Sequence, residues 1–314
     1  MKIFNDLNTY KSNHRTFVTI GTFDGVHVGH QKVLKDLVES AKKNNATSVL
    51  LTFFPHPRMV LQKESNIKLI NTIDERIQLL HKIGLNSLVI HEFSNEFSNL
   101  SAIEFVKKIL VNKLKIAKLI IGYDHHFGKN REGNFEKLQE LGKIFDFKLK
   151  KISQHDISDI AVSSTKIRKA IENGEIEKAN TYLGYNFMLT GEVVMGKNLG
   201  EKIGFPTANV SIKETYKLIP KTGVYLVKSK IENETFFGMM NIGFRPTVSG
   251  KNQTIEINYF NFSKNLYGKI LQVEVLKYMR NEIKFESVEA LKIQLHKDKE
   301  NALKTINGTF FESD

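Results

Sequence analysis

The sequence predicts an α/β protein in two parts, a Rossmann-like parallel sheet followed by an antiparallel β-barrel or sandwich that a helix closes. Three observations predict it. Up to about residue 160, short apolar, β-branched runs alternate with stretches of helical period, and such alternation builds a parallel sheet covered on both faces. From about Tyr185, strand-like runs follow one another with no helical stretch between them, which calls for antiparallel pairing. Two short helical patterns, 165–172 and 175–183, end near Gly184. The boundary is expected there, giving domains of 1–184 and 185–314.

In the first part the candidate strands are 17–20, 48–53, 87–90, 118–121 and 147–152. After the first of them, Val33, Leu34, Leu37, Val38 and Ala41 fall at helical spacing. Ser101 with Glu104 makes a capping box ahead of Phe105, Val106, Ile109 and Leu110. In the second part the candidates are 189–194, 224–231, 235–242, 254–260 and 270–278. Ser287 is a candidate N-cap for a closing helix whose stripe is Val288, Leu291, Leu295 and Leu303.

The 314 residues, 41 % hydrophobic and 25 % charged, leave room for two ordinary globular domains. No apolar run approaches the roughly 20 residues needed to span a bilayer. The first residues, with Lys2, Asn5, Asp6 and Asn8, carry no signal-peptide core. Cysteine is absent, which removes disulfides and thiolate metal sites and suits a reducing cytoplasm. The formal charge of +12 is dispersed, with Glu among the Lys, and is densest at 113–118 and 148–151. No run of five or six basic residues marks a dedicated nucleic-acid arm, while a positive field attracts anionic small molecules.

Residues 19–30 run from an apolar strand through a Gly/His turn into a helix. Gly21, Gly25 and Gly29 let backbone N–H groups approach an anion, and the helix presents its positive end. His27 and His30, three apart, add side-chain donors where charge grows as pyrophosphate leaves a triphosphate. Nucleotidyl transfer is the chemistry this suits. No G-x-x-x-x-G-K-[ST] occurs, and the nearest approach, 122–130, has the wrong spacing and ends on Asn.

Three further segments carry polar groups at strand or helix ends. Residues 51–58 end a strand with prolines bracketing His56, ahead of Arg58, so both are expected in the crevice of the first motif. Residues 121–133 hold Asp124, suited to a substrate hydrogen bond, and Phe127, suited to packing on a flat ring. A catalytic metal is not expected at His125 and His126, which lack third-ligand spacing. Residues 162–170 put Ser163, Ser164 and Thr165 at a helix start with Arg168 one turn inside, a pattern for N-capping and for an anion cradle.

The Gly21-Thr22-Phe23-Asp24-Gly25-Val26-His27 string with His30 resembles the HxGH signature of the nucleotidyltransferase superfamily in its flavin adenylyltransferase form. With the three other segments in this order, residues from about 16 to 183 resemble the adenylyltransferase module of prokaryotic bifunctional riboflavin kinase/FMN adenylyltransferases, the FAD synthetases. The resemblance implies ATP phosphates at His27 and His30, and a nucleotide loop of Gly21, Phe23, Gly25 and Gly29. Ser163, Ser164, Thr165 and Arg168 would complete the phosphate site. The segments of His56, Arg58, Asp124 and Phe127 would place the flavin nucleotide or ATP. It also implies direct adenylyl transfer with magnesium.

The second part has its own signature in residues 193–209, a glycine-rich bend before Pro206-Thr207-Ala208-Asn209, whose oxygens suit a hard cation and phosphate. By itself that string reads as a β-turn. With Gly223-Val224-Tyr225, residues 241–247, Glu256 and Leu266-Tyr267-Gly268, it resembles the riboflavin kinase module, a six-stranded barrel in that family. The resemblance implies Mg-nucleotide binding at Thr207 and Asn209, contacts from Gly204 and Arg245, and Glu256 as general base for the ribityl hydroxyl. Departures are Glu201 where a basic residue is common, Met195 and Asn258 where His is frequent, and Asn261 and Asn265 where Asp is. Lys202 can replace the missing charge.

The expected protein is therefore a cytoplasmic two-domain enzyme that uses ATP, Mg²⁺, riboflavin and FMN, with no dedicated nucleic-acid or membrane partner. Oligomeric state stays open. The alternatives are a monofunctional FMN adenylyltransferase with a flavin-binding barrel, and a non-enzymatic protein that binds nucleic acid or flavin on the same fold.

Overall fold

The computed structural model describes the chain except residues 13, 63–65, 123–126, 130–131, 153–161, 197–199, 201–202, 248–249 and 311–314. The chain forms two compact units, 1–164 and 165–314.

The first unit holds strands β1 (Lys2–Phe4), β2 (Thr16–Ile20), β3 (Thr47–Phe53), β4 (Ser87–His91), β5 (Ile116–Gly122) and β6 (Lys148–Ile152). They make a six-stranded sheet in the order β1-β4-β3-β2-β5-β6, with parallel pairing throughout. Every residue of β2 is buried, and β3 is buried after its first residue, as strands covered on both faces must be. Chain order runs outward from β2 through β3 and β4, then returns to add β5 on the other side. That reversal makes the carboxyl end of β2 a topological switch point, where open α/β sheets take ligands. The three-residue β1 escapes sequence reading because so short a run carries no period.

Helix α1 (Val28–Lys43) follows β2 and buries Val33, Leu34, Leu37 and Ala41. Between β3 and β4 come α2 (Pro57–Leu61) and α3 (Ile73–Lys82). The Ser101–Glu104 capping box forms as expected, on a helix that continues from Ala102–Phe105 into π-helical turns at Val106–Lys113.

The second unit begins one residue into the helix Ser164–Asn173 and continues with the helix Ile176–Leu183. Strands β7 (Met188–Val194), β8 (Ala208–Ser211), β9 (Gly223–Ile231), β10 (Glu234–Thr247), β11 (Gly250–Tyr259) and β12 (Ile270–Arg280) close a barrel in the order β10-β11-β8-β7-β12-β9. Its pairs are antiparallel. The second helix is tied to the barrel by Asn180, whose amide donates to the Val275 carbonyl at 2.9 Å and whose Oδ1 accepts the Phe187 N–H at 2.7 Å. Helical period tells that a face is covered but not by which core, so this docking is invisible in the sequence. Strand β8 is likewise new, because the turn chemistry of Pro206 and Asn209 hides a four-residue strand.

The C-terminal helix Val288–Phe310 packs Ala302 and Ile306 onto Phe205, Leu226, Met239, Phe260 and Leu276. Arg280 on β12 grips Asp298 on that helix, Nη2 to Oδ2 at 2.6 Å and Nε to Oδ1 at 2.9 Å, and Gln294 adds a donor to Oδ1 at 2.8 Å.

Candidate active sites

The first site is built at the end of β2. The Gly21 N–H donates to the Leu51 carbonyl at 3.1 Å, which keeps the chain on the sheet one residue beyond the strand. A side chain at Gly21 would press on the Phe23 ring at 3.1 Å. The turn then uses positive φ at Phe23 (48°), Gly25 (87°) and Val26 (34°), conformations that cost free energy and persist only when surroundings fix them.

The surroundings do fix them. Arg76, 1 % exposed on α3, donates from Nη1 to the Thr22 carbonyl at 2.7 Å, and the Thr52 hydroxyl donates to the same oxygen at 3.2 Å. The fully buried Asp24 carboxylate accepts the Ile70 N–H at 3.0 Å and the Asn71 N–H at 3.4 Å. Gln31 holds the Val26 carbonyl at 2.9 Å, and the Ser164 hydroxyl donates to the Asp24 carbonyl at 2.9 Å.

This frame delivers His27 as the N-cap of α1, with Nδ1 accepting the His30 N–H at 3.4 Å. A neutral His27 in that role carries its proton on Nε2. The two rings stack with centroids 3.6 Å apart, and Phe23 lies 4.7 Å from His30. Burial first, then the His27 and Arg76 charges, hold the His30 pKa well below its usual 6.5. His30 Nδ1 is buried without a hydrogen-bond partner among the described residues. The first turn of α1 has no acidic residue and its last turn has Lys42 and Lys43, so its positive end is uncancelled toward an anion.

The sequence-predicted residues distribute unevenly around this loop. Gly21, Phe23, Gly25, His27, Gly29 and His30 are contiguous in it, and Ser164 reaches it through Asp24. His56 follows β3, adjacent to β2 in the sheet, and is itself an N-cap, with Nδ1 accepting the Arg58 N–H at 3.1 Å. Arg58 is exposed. Phe127 is buried with its ring 5.6 Å from Phe105, in a chain of phenylalanines that continues through Phe97 to Phe53. Ser163 and Thr165 are exposed, while Arg168 is buried on the helix Ser164–Asn173. Asp124 lies outside the described residues.

Sequence reasoning missed Arg76, Thr52 and the role of Asp24. One signal was present. Arg76 sits three and four residues before Leu79 and Leu80, on the buried face of α3, where an arginine needs a partner.

The second site is a row around the barrel. Strand register places Val194 opposite Asn209, Asn209 opposite Glu256, Glu256 opposite Asn241, Asn241 opposite Val224 and Val224 opposite Arg280. Antiparallel partners stand about 4.5–5.5 Å apart at Cα, so Asn209 and Glu256 are immediate neighbours. Thr207 is two residues before Asn209 and half-buried, as is Glu256. Asn258 donates from Nδ2 to the Pro206 carbonyl at 2.8 Å. Gly196 lies so close to Asn209 that a side chain there would overlap its amide.

Gly204 takes φ 83° beside open space, and Phe205 anchors the segment with its N–H on the Gly200 carbonyl at 2.8 Å and its ring 5.0 Å from His296. Arg245 is on β10 opposite Asn252, its side chain outside the described part. Glu201 and Lys202 are outside it too. A cavity of about 450 Å³ opens beside the Arg280 end of the row, lined by Tyr278, Met279, Ile283 and Asp298 among others.

No cluster of three or more His, Cys, Asp or Glu side chains among the described residues makes a ready-made metal cage. The Thr207 hydroxyl and the carboxamide oxygen of Asn209, the latter residue opposite Glu256, are hard donors of the kind magnesium takes together with water and substrate phosphate.

Comparison with known proteins bears on both sites. The FAD synthetase family profile matches residues 9–166, and the riboflavin kinase profile matches residues 183–306. A bifunctional riboflavin kinase/FMN adenylyltransferase of Buchnera aphidicola subsp. Schizaphis graminum is 40 % identical over 304 residues, covering 96 % of this chain and 97 % of its own. A protein of the same description from Haemophilus influenzae is 37 % identical over 292 residues, covering 93 % and 94 %. A crystal structure from Streptococcus pneumoniae, described as a macrolide-efflux protein, matches with a TM-score of 0.87 at 29 % identity, covering 96 % of this chain and 98 % of its own. No helix among the described residues is long and apolar enough to cross a membrane.

Proposed function

The chain belongs to the family of bifunctional riboflavin kinase/FMN adenylyltransferases, and from that premise we propose how its residues divide the work. The enzyme phosphorylates riboflavin with ATP to FMN and transfers the adenylyl group of a second ATP to FMN, giving FAD and pyrophosphate. One observation carries the division. The imidazole pair belongs to the unit 1–164 and the Glu256 carboxylate to the unit 165–314, so the two reactions have separate machinery.

In sequence the adenylyltransferase domain is 1–184 and the kinase domain 185–314, while the helices of 165–183 count with the second compact unit. In adenylyl transfer an FMN phosphate oxygen attacks the α-phosphorus of ATP, and the bond to the β-phosphate oxygen breaks. His27 and His30 donate to the phosphates, where charge grows as pyrophosphate leaves, and the N-terminal end of α1 adds its dipole. The glycine turn of Gly21, Gly25 and Gly29, with Phe23, seats the nucleotide. Ser163 and Ser164, in the same unit, complete the phosphate site, and His56, Arg58, Asp124 and Phe127 place the nucleotides. Alignment supplies the rest of the acceleration.

In the kinase domain the Glu256 carboxylate takes the proton of the terminal ribityl hydroxyl as its oxygen attacks the γ-phosphorus, and ADP leaves. Thr207 and Asn209 hold the Mg-nucleotide, with Gly204 and Arg245 in the same site. Bound there with the nucleotide, magnesium would supply neutralisation of the phosphate charge. A cysteine-free chain supplied by ATP suits the cytoplasm.

The test is turnover by the full-length enzyme with ATP and Mg²⁺, given riboflavin or FMN, the flavins being separated by chromatography. His30→Ala is expected to slow FAD formation by about 10²–10³ while FMN still forms. Glu256→Gln is expected to do the reverse. Equal loss of both activities in either variant contradicts the division, and FAD from FMN with nothing from riboflavin leaves the barrel a flavin-binding module only.

A further inference from the structure

Pairing between β8 and β11 sets Asn209 opposite Glu256 and Ala208 opposite Ile257. Thr207, the next residue in that register, falls opposite Asn258 but precedes the strand, and Pro206 before it has no N–H to continue a ladder. At this point a side chain takes over from the backbone, since the Asn258 amide donates to the Pro206 carbonyl at 2.8 Å. Asn258 is two residues beyond Glu256 on β11, so both side chains leave the strand on one face. It is half-exposed, outside the hydrophobic core.

The backbone at Glu256 is fixed on both sides, by Asn209 and by Asn241. The stretch through Thr207 spans from the Phe205 anchor to the first ladder residue, Ala208, and the Asn258 contact falls within it. We propose that Asn258 is a positioning residue of the kinase site, which sets the distance of Thr207 from Glu256 and Asn209 and thereby the binding of Mg-ATP. The inference rests on the reading of Thr207, Asn209 and Glu256 as the kinase site.

The geometry separates the two substrates. Loss of the Asn258 donor frees Thr207 and leaves Glu256 where it is, so the effect falls on ATP and not on riboflavin. The experiment is steady-state riboflavin phosphorylation by full-length N258A, N258D and N258H, with T207A as reference and FAD formation from FMN as the control for an intact chain. N258A and N258D are expected to raise the KM for Mg-ATP about five- to tenfold, the factor for one hydrogen bond of ordinary strength, with the riboflavin KM and FAD formation unchanged. N258H, which restores a nitrogen donor, is expected to recover most of the affinity. N258D is nearly isosteric, so wild-type Mg-ATP affinity in N258D overturns the proposal, as does an equal rise in both KM values. If T207A itself leaves the KM for Mg-ATP unchanged, the site reading fails, and that outcome is distinct from failure at Asn258 alone.

Discussion

The rings of His27 and His30 lie face to face, their centroids 3.6 Å apart and their planes 19° from parallel. Two protonated imidazoles repel at such a distance, and burial adds to the cost, so His30 stays neutral with its pKa well below 6.5.

That neutrality gives the stability a pH dependence of known sign. Unfolded, His30 titrates near 6.5; folded, it takes up its proton only at lower pH. Above 6.5 neither state binds the proton and the contribution is flat. As pH falls below 6.5 the unfolded chain gains a proton that the folded chain refuses, and stability declines until the folded pKa is reached, by at most about 1.4 kcal/mol per pH unit. Urea unfolding between pH 5 and pH 7.5 should therefore show a shallower loss in His30→Gln than in the wild type. Parallel losses would remove His30 as the source.

Arg76→Met takes away the guanidinium that holds the Thr22 carbonyl at 2.7 Å and the charge that depresses His30. A loss of about 2 kcal/mol is expected from a buried acceptor left short of its donor. The His30 ring resonances should titrate at higher pH than in the wild type, and FAD formation should fall with FMN formation intact. An unmoved titration would limit Arg76 to a packing role.

Gly196→Ala puts a methyl group where the Asn209 amide lies. A side-chain end can turn aside cheaply, so the unfolding free energy should hold to within about 0.5 kcal/mol and the midpoint should barely move. Riboflavin phosphorylation should nevertheless fall by about tenfold, because a displaced ligand side chain misaligns the nucleotide. Unaltered kinetics with a wild-type midpoint would place Asn209 outside the nucleotide site.

Asp298→Ala leaves Arg280 in a partly buried setting with its carboxylate gone; the two side chains are 19 % and 3 % exposed. A loss of about 3 kcal/mol is expected, seen as a lower melting transition by circular dichroism. Arg280→Met with Asp298→Leu should regain most of it, since an apolar pair needs no charge compensation. If the double variant is as unstable as the single one, packing at this position outweighs the ion pair.

Much of this architecture was legible along the chain because its causes are local. Apolar runs of β propensity produced β2, β3, β4, β5 and β6 close to their expected positions, and Ser101 with Glu104 formed the capping box its spacing predicts. The imidazoles at the head of α1 and the Thr207 to Asn209 segment are signatures written in consecutive residues. Strand β8 was hidden because Pro206 ahead of it and Asn209 within it carry turn chemistry, and only the edges of β7 and β11 make its four residues a strand.

The sequence by itself determined the two-part order, the alternation that makes a parallel sheet, and the residue types that meet phosphate, since period, turn chemistry and charge are properties of neighbours in the chain. Tertiary structure alone decided what holds those residues in place. Arg76 reaches Thr22 across 54 positions, Asp24 reaches Ile70 across 46, and Asn258 reaches Pro206 across 52. No local period records such contacts, because they exist only after sheet and barrel closure bring the strand ends together and burial obliges each polar group to find a partner.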